Sequence, residues 1–143
     1  MTENKGRVLG VDYGDRRTGL AISDASRFLA GGIGTISGGG MRSTAKKVAA
    51  VAAERGAAVI VIGMPKNMDG SEGGSADKIR AFAELLRPLT AAEIVFFDER
   101  VTTMAAHQIL NLTDTRGAKR KSVVDTLSAE IILQNYLDRA KNT

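Results

Sequence analysis

The chain has 143 residues, a net charge of +4 with a pI near 9.6, 43% apolar and only 4% aromatic content, and no cysteine. That length fits one domain spanning residues 1–143, with no room for a second lobe, and the composition predicts a packed core of Val, Ile, Leu and Ala. Disulfides and thiolate metal sites are excluded, and a polar opening (MTENKGR) without an apolar run approaching about 18 residues predicts a cytoplasmic protein with no membrane partner.

Along the chain, Val8 to Tyr13, Thr18 to Ser23 and Phe28 to Ile36 read as three β-strands, the first two joined by a polar turn, Gly14-Asp15-Arg16-Arg17. They predict an antiparallel meander. After Gly38-Gly39-Gly40, Met41 to Arg55 has helical spacing and stops at Gly56, a suitable residue just past a helix end. Ala57 to Ile62 reads as a buried strand. The loop MPKNMDGSEGG (64–74) then leads to a helix from Ser75 to Leu86, with Pro88 beyond its end. A fifth strand over Ile94 to Phe97 and helices over Val101 to Leu112 and Val123 to Arg139 complete the order βββαβαβαα. A meander followed by alternating β and α implies a mixed α/β sheet.

Three acids fall where one sheet can gather them: Asp12 at a strand end, an acid of the Asp98-Glu99 pair at another, and Asp125 in the last helix. Carboxylates about 4 Å apart repel by roughly 4 kcal/mol at an effective dielectric near 20, so a gathered trio calls for a divalent cation. Each has a structural alternative. Asp12 could initiate a turn at Gly14, although it alternates onto the face of Val8 and Gly10, where Gly10 leaves space for metal or backbone. Asp98 or Glu99 could cap the following helix, and adjacent residues of a strand point to opposite faces, so only one can share the face of Asp12. Ser122-Val-Val-Asp125 fits a capping box, yet helical projection puts Asp125 beside Ala129, Ile132 and Tyr136 on the core side.

Basic residues are concentrated in RGAKRK, where Arg116, Lys119, Arg120 and Lys121 precede Asp125. They read either as a solvated loop or as phosphate contacts. In the 64–74 loop, Lys66, Asn67 and Asp69 follow a strand's carboxyl end, where open α/β sheets bind ligands; Arg100 beside Glu99 joins them as a candidate substrate contact. His107 is the only histidine and reads as structural. Dinucleotide-binding and P-loop motifs are absent.

The VDYG start with Gly19, IGMPKNMDGSEG, FFDERVTT and KSVVDTLSAEIIL together resemble the YqgF/RuvX family of RNase H-like proteins, described as Holliday-junction resolvases, over nearly the whole chain. The resemblance implies a five-stranded sheet, three meander strands plus two parallel ones, flanked by helices. It also implies an acidic triad of Asp12, Glu99 and Asp125, choosing Glu99 over Asp98, and a role in trimming precursor 16S rRNA.

On that reading the activity is phosphodiester hydrolysis with Mg²⁺ or Mn²⁺ at an all-carboxylate site, on structured nucleic acid (an rRNA precursor or branched DNA), by a monomer or homodimer. One departure concerns Ser128: resolvases of the RuvC type resemble one another in carrying a second acid there, one helical turn after the first. Two other expectations compete. One is a binding module that keeps the fold without turnover; the other is a lobe of an actin/hexokinase-type phosphotransferase, which VDYGDRRTGLAI also resembles and which the chain length disfavours.

Overall fold

Strand β1 (Arg7–Asp12) pairs on one side with β2 (Arg17–Ser23), antiparallel, and on the other with β4 (Ala57–Met64), parallel. β3 (Ala30–Ser37) extends the meander, and β5 (Glu93–Asp98) runs parallel to β4, so the five-stranded sheet has the order β3-β2-β1-β4-β5. The computed structural model describes residues 6–64, 74–98 and 117–141, with 74, 75, 98, 117–123 and 141 described in backbone only. The helix expected over Val101 to Leu112 lies outside the described residues.

Strand alternation divides the core into two layers. On one face Leu9, Val11, Leu20, Ile60 and Ile62 pack against α1 (Gly40–Arg55) and α2 (Gly74–Leu86), with Phe82 and Leu86 fully buried between them. On the other, Val8, Ala21, Val59 and Val61 pack against α3 (Gly117–Lys141) through Ala129, Ile132, Leu133 and Leu137. Burial of each such aliphatic side chain contributes about 1.5–3 kcal/mol. β4 is apolar on both faces because it is central and parallel to both neighbours. α1 stops at Gly56, whose left-handed backbone (φ 69°) lets its N–H reach the carbonyls of Ala52 and Ala53.

Among the boundaries that depart from the sequence reading, three stand out. Phe28 and Leu29 precede β3, because the Asp24 carboxylate accepts hydrogen bonds from both their N–H groups (2.8 and 3.2 Å) and folds them into a tight turn. β4 runs on to Met64. The last helix begins at Gly117, six residues before the expected Val123, since Ala-Lys-Arg-Lys are good helix formers and continue the helix backwards. That start corrects two expectations. Ser122 lies inside the helix, past its first turn, so it is not in an N-cap position and the capping-box reading of Asp125 fails; and 117–121 of the basic segment are helical, not loop.

Candidate metal centre

Asp12 is the last residue of β1 and lies opposite Gly19 across the β1–β2 ladder. It is the half-buried final residue of the strand, immediately before the turn to β2. Antiparallel partners stand about 5 Å apart at Cα, so the location of Gly19 locates Asp12.

Gly19 carries that location across to α3. A Cβ at Gly19 would collide with the backbone carbonyl of Asp125, one at Gly10 would stand 2.8 Å from Leu133 Cβ and 3.0 Å from the Ala129 carbonyl, and one at Gly32 would stand 2.5 Å from Thr126 Cγ2. Three neighbouring strands thus present glycine to one helix. The helix descends until its backbone touches the sheet, and Asp125, one turn before Ala129, arrives beside the end of β1. Asp12 continues the face of Val8 and Gly10 toward the same point.

Asp125 has a partner there already. Arg17 donates from Nε to Asp125 Oδ2 at 2.8 Å, with both side chains about three-quarters buried (30% and 24% exposed). Arg17 begins β2 two residues before Gly19, so it shares the α3-facing side of that strand. The sequence places it only in a polar turn; the pairing spans 108 positions, and only its parity with Gly19 could have pointed to it.

The turn between Asp12 and Arg17 is fixed from the opposite side. Tyr13 stacks on Phe82 of α2 with ring centroids 4.5 Å apart, and Lys78 reaches Asp15 at 2.8 Å. Burial raises the Tyr13 phenol above its ordinary pKa, Asp15 adds to that and Lys78 opposes it; the hydrogen bond from Lys78 to Asp15 in turn raises the lysine. The Lys78–Asp15 pair is exposed at both ends and adds little stability. The stacked rings carry more of the anchoring.

The remaining predicted residues are placed less fully. Lys66, Asn67, Asp69, Glu99, Arg100 and Arg116 lie outside the described residues. Lys119, Arg120 and Lys121 fall in the first turns of α3, Lys121 one turn before Asp125. Val95 and Phe97 of β5 pack on the α3 side, so position 98 has the parity of the opposite face. Among the described residues no three His, Cys, Asp or Glu side chains are grouped closely enough to hold a metal. Nor is any helix there long and apolar enough to cross a membrane.

The two described donors are both carboxylates, the oxygen ligands that a hard divalent cation takes, and one oxygen of Asp125 is already engaged by Arg17.

The fold is that of the RNase H-like resolvases. Fowlpox virus resolvase bound to Holliday junction DNA aligns with 94% of this chain and 98% of its own at a TM-score of 0.57 and 12% identity. RuvC of T. thermophilus, in complex with a Holliday junction substrate, aligns over 96% of each chain, again at 0.57, with 11% identity. The profile of the RuvX family, described as Holliday junction resolvase, matches residues 6–139, and the chain belongs to that family. Its relatives include proteins named as candidate pre-16S rRNA nucleases. The one from Caldanaerobacter subterraneus is 43% identical over 96% of this chain and 99% of its own; that from Halalkalibacterium halodurans is 44% identical over 93% and 96%.

Proposed function

We propose that this chain is a metal-dependent endonuclease that hydrolyses phosphodiester bonds of structured nucleic acid, with Asp12, Glu99 and Asp125 holding Mg²⁺ or Mn²⁺. The observation that carries the proposal is the convergence of Asp12 and Asp125 through Gly19. The parity of Val95 and Phe97 turns position 98 away from the α3 side, which counts against Asp98; Glu99 is taken as the third ligand from the likeness to the RuvX family. A bound divalent ion, or a pair in the two-ion form of this chemistry, polarises the phosphodiester and lowers the pKa of an attacking water.

The chain's own residues set the stage for that chemistry. Asp12 and Asp125 supply ligand oxygens, rigidly, because one ends a strand central in the sheet and the other is pinned to the sheet by glycine contacts. Arg17 orients the Asp125 carboxylate. Lys119, Arg120 and Lys121, at the positive end of the α3 dipole where cations cost stability, and Arg116 beside them, make sense as phosphate contacts. Lys66, Asn67, Asp69 and Arg100 are the proposed contacts to the rest of the substrate.

The substrate class favoured is precursor 16S rRNA, following the names of relatives aligned over nearly their full length. Junction DNA, following the family's description, requires two active sites and hence a homodimer. The test is to incubate purified protein with a precursor rRNA and with a branched DNA, each with Mn²⁺, Mg²⁺ or chelator. Cleavage of the RNA that needs metal and is lost in Asp12→Asn supports the proposal. Tight binding of either substrate without cleavage under any metal condition would replace it with a binding module that does not turn over.

A further inference from the structure

The Arg17–Asp125 pair has a consequence for how this site loads, and it rests on the reading of Asp125 as a metal ligand. Arg17 Nε occupies Oδ2 at 2.8 Å, and the side chain has no other partner among the described residues. Its guanidinium has further N–H donors, and the side chain is 30% exposed. A fixed positive charge on a ligand oxygen repels an incoming divalent cation, while its free donors have the planar fork that matches a phosphate.

We propose that Arg17 acts as a resident counter-cation which competes with metal for Asp125 until a substrate phosphate draws it away. Without nucleic acid, Arg17 neutralises Asp125 and holds metal affinity down. When a phosphate arrives, Arg17 moves its hydrogen bonds onto the phosphate oxygens, and Asp125 is released to the ion. Metal and nucleic acid then favour each other's binding by the same factor, as linkage requires. Arg17 is thus a positioning residue in the empty site and a phosphate ligand in the loaded one.

The experiment compares wild type, Arg17→Gln and Arg17→Lys in two measurements that need no turnover. The first is Mn²⁺ titration by calorimetry without nucleic acid. Arg17→Gln should bind Mn²⁺ about tenfold tighter, having lost the competing charge, whereas Arg17→Lys should stay near wild type. The second is affinity for a short RNA duplex in chelator, which should fall severalfold in Arg17→Gln and also in Arg17→Lys, whose ammonium lacks the fork.

Mn²⁺ affinity in Arg17→Gln equal to or weaker than wild type would overturn the competition and leave Arg17 as a simple brace for Asp125. Unchanged duplex affinity in both variants would overturn the transfer to phosphate, and Arg17→Lys alone decides this if Arg17→Gln does not fold. A wild type that binds no Mn²⁺ at all contradicts the metal reading itself, and is distinguished from failure of this proposal by that fact.

Discussion

Gly19 of β2 lies directly against the backbone carbonyl of Asp125 in α3, with no space for even a methyl group between them. Since Gly19 is also the ladder partner of Asp12, this one contact sets the separation of the two acids. The obstacle to a side chain there is backbone, which cannot rotate aside.

Gly19→Ala should therefore lift α3 from the sheet. Overpacking of this kind costs about 1–3 kcal/mol or more, and metal affinity should fall with stability because Asp125 moves away from Asp12. Gly31→Ala is the control: an added Cβ there meets nothing within 4 Å, and stability should stay within about 0.5 kcal/mol of wild type or rise. Chemical denaturation of the two variants side by side checks both. Equal midpoints would contradict the close contact.

Ser128→Ala should stabilise the protein. The Ser128 hydroxyl is fully buried and has no hydrogen-bond partner among the described residues, so it carries a desolvation cost of about 1–3 kcal/mol that alanine removes. Ser128 lies one turn beyond Asp125, so the variant also asks whether that hydroxyl serves the site. A raised melting temperature with undiminished cleavage is the expected result. A lower melting temperature would mean that the hydroxyl is satisfied in solution.

Asp24→Asn should destabilise the protein near neutral pH, and the difference from wild type should vanish in acid. The Asp24 carboxyl is held below its ordinary pKa of 3.8, first by the Ser26 hydroxyl and then by backbone N–H groups of its turn. A depressed folded pKa contributes stability that is fully present above the unfolded value and is lost as pH falls through the lower folded one. The gap between the two proteins should close from about pH 4 downward. Parallel melting curves at pH 7 and pH 3 measure it, and a gap of constant size would contradict the role of the charge.

Much of this arrangement was legible in the chain before its structure. The alternation of Val8, Gly10 and Asp12 placed the acid on one face, and the spacing of Asp125, Ala129 and Ile132 placed the other acid on the buried side of its helix, where Ala129 and Ile132 are indeed fully buried. Both are local periodicities, 2 for a strand and 3.6 for a helix. The helix start was misread because Ser122-Val-Val-Asp125 satisfies a capping template while the residues before it have strong helix propensity, and propensity prevailed. Arg17 was invisible for a different reason. Its partner lies 108 positions away, and no local pattern encodes a pairing made only when α3 settles onto β2.

The central claim is that Asp12 and Asp125 share a divalent cation, and Mn²⁺ titration of wild type, Asp12→Asn and Asp125→Asn by calorimetry tests it most directly. Each substitution removes one anionic ligand from the same ion, so each should weaken Mn²⁺ binding tenfold or more, and the melting-temperature rise caused by Mn²⁺ should shrink in step, following RT ln(1 + [L]/Kd). Asp125→Asn also loosens its tie to Arg17, yet it should show the same loss as Asp12→Asn. Wild-type Mn²⁺ affinity in both variants would contradict the claim and remove the two carboxylates from the site.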